Sequence, residues 1–93
     1  MTPELRYSVL VRDDHRCIGP RIGMPGPCHY ALEVDHVRAS GGLGMKSPTE
    51  LGNLVTLCRD HHRLKTEHGK TWRPLELEYL EIVKDGETLV GWL

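Results

Sequence analysis

The chain has 93 residues, enough for one domain. Only 5% of them are aromatic and none is Phe, so the apolar core must be thin and a staple such as a metal is expected. The net charge of −1 hides an asymmetry, since residues 1–75 carry 11 basic against 8 acidic side chains and residues 76–93 carry 1 against 5. A mildly basic body with an acidic tail suits local phosphate contacts and argues against tight, non-specific coating of nucleic acid.

The opening segment lacks the apolar stretch of a secretory signal, and no apolar run approaches the length of a membrane span. A cytosolic protein without a membrane partner is the expectation. Thr2-Pro3-Glu4 reads as an N-cap, a Pro at the first helical position and an acid in the first turn. With Leu5 and Val9 at helical spacing, this predicts a helix over residues 3–13. Residues 17–28, CIGPRIGMPGPC, hold three Gly and three Pro, which predicts an irregular loop closed at each end by a cysteine. Tyr30 to Val34 alternates and leads into Asp35-His36-Val37, a predicted strand. Residues 40–52 read as loop, Leu54 to Leu57 as a short strand, and residues 59–68 as a helix. Gly69 is expected to close that helix with a left-handed backbone. In residues 77–93, apolar residues flank Asp85-Gly86, a two-residue turn signal that predicts a C-terminal β-hairpin. The fold class is α+β in a single domain spanning 1–93, with a motif core over about 28–68.

The three cysteines are an odd number, which argues against a closed disulfide framework and for metal ligation. Cys58-x2-His61 has the tight spacing that lets two donors grip one ion at a helix start. Cys17 and Cys28 would complete a Cys3His set of the kind zinc prefers, and a thin core gains folding stability from binding it. Alternatives stay open. Cys17 and Cys28 could pair as a disulfide beside a buried Cys58, and His15 or His29 could replace one of the four ligands.

A second group has different chemistry. Adjacent helical residues point about 100° apart, so if His61 faces the zinc then His62 faces elsewhere. Lys65 and Thr66 share the face of His62. If the strand packs on this helix, Asp35 and His36 can meet His62 there. Hydrolysis of a phosphodiester needs an activated water, a cation on the phosphate oxygens and a rigid mount. Imidazole exchanges a proton near neutral pH, so His36 can act as base. Asp35 and His62 offer one oxygen and one nitrogen to a divalent ion, Mg2+, Mn2+ or Ni2+, and leave positions open for water and phosphate. Asn53 can anchor the loop that fixes His36. Arg59, Arg63 and Lys65 supply charge for flanking phosphates. Read plainly, His36 could instead be a strand-end histidine satisfied by a hydrogen bond, Asn53 a turn residue and His62 a solvent-facing one. His68 is expected as a charge complementing the helix dipole, and Trp72 and Trp92 as packing.

The segments LEVDH, GNLVTLC and CRDHHRLKT resemble the HNH endonuclease family, whose ββα-metal fold is two strands and a helix around one ion. Cys17 and Cys28 match its zinc-binding subgroup, although many relatives carry two Cys-x2-Cys pairs where here the first pair is stretched and the second ends in His61. The resemblance covers about residues 5 to 68. It implies that His36 is the general base, Asp35 and His62 ligate the catalytic ion, and Asn53 orients the base's loop. It implies a DNA-cleaving hydrolase stapled by Zn2+. Short members of the family resemble bacteriophage enzymes that assist a terminase in genome packaging, which makes a terminase or another phage protein an expected partner in the host cytoplasm. The competing expectation is a zinc-stapled nucleic-acid- or protein-binding module without catalysis.

Overall fold

The computed structural model describes residues 1–29, 31–38 and 49–83. Helix α1 (Pro3–Arg12) starts as its sequence demands. The Thr2 hydroxyl accepts the Leu5 N–H at 3.1 Å, Pro3 sits where its missing N–H is not needed, and Glu4 faces the positive end of the dipole. The helix ends one residue earlier than expected because Asp14 and His15 both adopt left-handed backbone, at φ 61° and 53°. Their N–H groups turn back to the carbonyls of Val11 and Leu10.

The Cys17–Cys28 loop is not wholly irregular. Gly19–Ile22 form a single 3-10 turn closed by Gly23 at φ 87°. The Ile18 N–H donates to the Thr56 carbonyl at 2.8 Å, which ties the loop to the sheet. Strand β1 (Leu32–His36) runs antiparallel to β2 (Leu54–Cys58), with Leu32 opposite Cys58 and His36 opposite Leu54. Further bonds from Val37 N–H to Asn53 O and from Arg59 N–H to Ala31 O extend the pairing at both ends. Every residue of β2 is buried, which explains its lack of polar alternation. Helix α1 packs on β2, and α2 (Arg59–Glu67) packs on both strands.

The C-terminal expectation needs correction. Gly69 does not close α2 in a left-handed conformation; His68 ends that helix and Gly69 begins α3 (Gly69–Val83). Residues 77–83, expected in a hairpin strand, are therefore helical. The physical reason is the spacing of Glu76, Tyr79, Leu80 and Val83, all buried on one helical face, which prevails over the local Leu-Glu alternation. Trp72 packs against the core from α3. The remainder of the expected hairpin, with Asp85-Gly86 and Trp92, lies outside the described residues. The result is a small α+β domain whose core joins Ile18, Val37, Val55, Leu57, Tyr79 and Leu80. Among the described residues no helix is long and apolar enough to cross a membrane.

One buried acid ties three elements together. Asp13, fully buried at the end of α1, accepts the Thr56 N–H of β2 at 2.8 Å and the Tyr79 hydroxyl of α3. The Arg12 guanidinium pairs with both its oxygens, at 2.9 and 3.0 Å, and lies 6.0 Å from the centre of the Tyr79 ring. Burial, then the Asp13 charge, pushes the Tyr79 hydroxyl well above the usual phenol range. Asp13→Ala removes the acceptor of the Thr56 N–H and the Tyr79 hydroxyl and the counter-charge of Arg12, and should destabilise the fold by about 3 kcal/mol or more. Urea unfolding checks this, and an unchanged midpoint would contradict it.

Candidate metal centres

The Cys17, Cys28 and Cys58 sulfurs lie 3.3, 3.5 and 3.3 Å from His61 Nδ1, and the four donor atoms fall within 4.8 Å of one another. A tetrahedral zinc with bonds of about 2.3 Å to sulfur and 2.0 Å to nitrogen sets sulfur–nitrogen separations of about 3.5 Å. These four residues could hold a metal ion, and the donor set is consistent with zinc. The cysteines are free thiols, so the disulfide alternative is not formed. His15 packs edge-on against Tyr7, and His29 pairs with Asp60, so neither joins the set.

The surroundings prepare these donors. His61 Nε2 lies 2.9 Å from the Pro25 carbonyl, which can only accept, so Nε2 carries the proton and Nδ1 presents its lone pair to the sulfurs. The Gly19 N–H donates to Cys17 Sγ at 3.3 Å, and the His61 N–H to Cys58 Sγ at 3.5 Å. Burial pushes the Cys17 thiol up to about 12 and raises that of Cys28. Burial acts the same way on Cys58, but N–H groups of His61 and His29 outweigh it and lower that thiol. A bound cation supplies the charge that lets such buried thiols ionise. A Cβ on Gly19 would stand 2.7 Å from His61 Nδ1, so this position has no room for a side chain.

The second cluster sits on the other side of α2. Glu33 and Asp35, two apart on β1, both reach His62. His62 Nδ1 lies 2.7 Å from Glu33 Oε1, and Nε2 lies 3.1 Å from Asp35 Oδ1. The Asp35 hydrogen bond raises the His62 pKa; burial opposes this and the Glu33 bond adds to it. Lys65 Nζ lies 3.1 and 2.9 Å from the two Asp35 oxygens and donates to the His36 carbonyl at 2.8 Å. Burial disfavours the charged form of Asp35, yet hydrogen bonds from His62, Glu76 and Lys65 outweigh it and lower its pKa.

Glu76, fully buried on α3, closes the cluster with Oε1 3.9 Å from Lys65 Nζ. Burial first, then the Asp35 charge, pushes its carboxyl up to about 9. The acid form is therefore favoured at neutral pH. Both of its buried side-chain oxygens lack a hydrogen-bond partner.

The structure thus brings Asp35 and His62 into contact but turns the ring of His36 to Thr49, with Nε2 3.2 Å from its hydroxyl. Asn53 is buried and grips Arg38 twice. Its Oδ1 accepts the Arg38 N–H at 2.9 Å, and its Nδ2 donates to the Arg38 carbonyl at 3.3 Å. Arg59 and Arg63 are exposed on α2. Lys65 departs from the expected outward phosphate contact: it is buried, because Asp35 and the His36 carbonyl draw its ammonium inward. Among the described residues, the Cys3His set alone gathers three or more metal-ligating side chains; the Asp35–His62 pair stands outside it. Sequence reading missed Glu33, which its period-two spacing from Asp35 signals, and Glu76, which the expected hairpin concealed. Comparison of the chain with protein-family models, curated proteins and solved structures returned no match to any of them.

Two outcomes follow from these contacts. Gly19→Ala should lower the metal retained by purified protein, whereas Gly52→Ala, whose added Cβ meets nothing within 4 Å, should not. Metal analysis of both variants checks this, and equal content would contradict it. Glu76 in the folded state holds its proton to about 9, above its unfolded value of 4.5, so its contribution to stability is full below the lower value and fades as pH rises toward the higher. Glu76→Gln should therefore flatten the fall in melting temperature between about pH 6 and 9. Parallel curves for the two proteins would contradict this.

Proposed function

We propose that this chain is a metal-dependent endonuclease of the HNH type that hydrolyses phosphodiester bonds of DNA. In this reading zinc staples the Cys3His site, and a divalent cation sits between Asp35 and His62. The observation that carries the reading is the 3.1 Å approach of Asp35 Oδ1 to His62 Nε2 across the strand–helix junction. Adjacent ligands of an octahedral ion with bonds of about 2.1 Å stand about 3.0 Å apart, so a cation can replace that hydrogen bond with little movement. When bound, the ion polarises the phosphate and offsets charge on the leaving oxygen.

The protein's own groups do the rest. His36 lies next in sequence to Asp35, and its Nε2 is engaged by Thr49. That leaves Nδ1 to take the proton from an attacking water. Asn53 pins the backbone immediately after His36 through Arg38, while the Val37 N–H donates to the Asn53 carbonyl at 2.9 Å. In this reading these bonds steady the backbone from which His36 projects. Arg59 and Arg63 are the phosphate contacts of this reading.

One observation favours the alternative, a zinc-stapled binding module. Asp35 is already partnered by Lys65 and His62, as it would be in a purely structural ion-pair cluster. Supercoiled plasmid with Mg2+, Mn2+ or Ni2+ separates the two. The enzyme reading predicts ion-dependent nicking that falls about 10²- to 10⁴-fold in His36→Ala. It also predicts tighter ion binding as pH rises through the elevated His62 pKa, because Nε2 must lose its proton to ligate. Nicking equal in both proteins, or absent from zinc-loaded wild type, would overturn the enzyme reading.

A further inference from the structure

The four donors of the Cys3His set are not equally protected. Cys17, Cys58 and His61 are buried, whereas Cys28 is exposed. A cavity of about 550 Å³ opens beside it, lined by Cys28 and Cys17 with Pro20, Arg21 and Leu32 among its other walls. Cys58 is not part of that lining. Its sulfur instead accepts the His61 N–H at the N-cap of α2. Two sulfurs of one cluster therefore face a space with room for small solutes, and the third is turned away from it. All four donor atoms lie within 4.8 Å of one another, so the Cys17 and Cys28 sulfurs are near neighbours. A purely structural ligand is served as well by burial, and buried structural cysteines are inert. Accessible thiolates are the ones that oxidise.

We infer that Cys28 is a site of oxidation by hydroperoxides, with Cys17 as the resolving thiol, so that a Cys17–Cys28 disulfide opens the Cys3His set. The inference rests on that set as a zinc site and is independent of the roles given to Asp35, His36 and His62. With the cation bound, both sulfurs are thiolates. The Cys28 sulfur attacks one peroxide oxygen: an S–O bond forms, the O–O bond breaks, and the departing oxygen takes a solvent proton and leaves as water or an alcohol. Cys28 is then a sulfenic acid. The Cys17 thiolate attacks the Cys28 sulfur, the S–S bond forms, the S–O bond breaks, and hydroxide leaves as water with a second solvent proton. Two thiolates have given up two electrons, and one hydroperoxide has gained them. A disulfide offers no thiolate, so Cys58 and His61 are left as donors, too few for a closed zinc site.

The test treats zinc-loaded full chain with hydrogen peroxide and reads released zinc with a chromogenic chelator. Remaining thiols are then alkylated and the peptides identified by mass spectrometry. The expected result is loss of about one zinc per chain together with a Cys17–Cys28 disulfide, with Cys58 recovered alkylated. On untreated protein, a sub-stoichiometric dose of N-ethylmaleimide should label Cys28 ahead of Cys17 and Cys58. Cys28→His keeps a donor set that suits zinc and removes the exposed thiol, so C28H should hold its zinc under peroxide. Zinc retained by treated wild type, Cys58 in the disulfide, or first labelling at Cys17 or Cys58 overturns the inference. So does C28H that takes up zinc and releases it to peroxide as fast as wild type. If C28H takes up no zinc, the labelling order and the disulfide map of wild type decide. Wild type that takes up no zinc overturns the zinc reading and the inference together, whereas a failure of plasmid nicking touches neither.

Discussion

The strand-to-helix junction at Cys58 governs the rest of the molecule. Cys58 is the last residue of β2, the N-cap of α2 and one of the four clustered metal donors. Its sulfur accepts the His61 N–H, so the same atom starts the helix and fixes the phase in which it leaves the strand. With that phase set, His61 turns toward the cysteines and His62, about 100° further round, turns toward β1. Two neighbouring histidines are thereby committed to two different sites. The bond from Arg59 N–H to Ala31 O and the Leu32–Cys58 pairing then hold β1 against the same junction. This brings Glu33 and Asp35 under His62.

A chain so poor in aromatic residues spends much of its interior on polar groups. Asp13, Asp35, Asn53, Lys65 and Glu76 are all buried; the first four are hydrogen-bonded across element boundaries, and Glu76 of α3 lies 3.9 Å from Lys65 of α2. Burial of unpartnered charge is strongly unfavourable, so these networks act as registration marks: the elements fit together in the arrangement that satisfies them. Asp13 joins α1, β2 and α3, and the Asp35–Lys65–Glu76 cluster joins β1, α2 and α3. The Cys3His cluster performs the same service for the Cys17–Cys28 loop, whose glycines and prolines could not build a core.

Much of this was legible in the residues. The Thr2-Pro3-Glu4 start, the two strands, the α2 helix and the Cys58-x2-His61 pair are local signals, each written in a few neighbouring positions, whereas Cys17 and Cys28 join that pair from far along the chain on the chemistry of their thiols. The pairing of Asp35 with His62 needed one long-range assumption, that β1 packs on α2, and the structure has that packing. Helix α3 was not legible. Residues 75–78 alternate Leu and Glu as a strand would, Pro74 interrupts a helical reading, and Asp85-Gly86 suggests a turn. The helical stripe became decisive only once α3 had a core to bury Tyr79 and Leu80 against. Lys65 misled for a related reason. A lysine on a helix is read as solvated unless its counter-charges are known, and here they come from β1 and α3.

If one junction sends His61 and His62 to separate sites, the two positions must fail separately. The direct measurement is metal analysis of His61→Ala and His62→Ala, grown and purified side by side, with Mn2+ titration of the zinc-retaining protein. H62A should keep about one zinc per chain and lose the proposed divalent ion, while H61A should lose the zinc itself. Zinc lost from H62A, or retained undiminished by H61A, would contradict it.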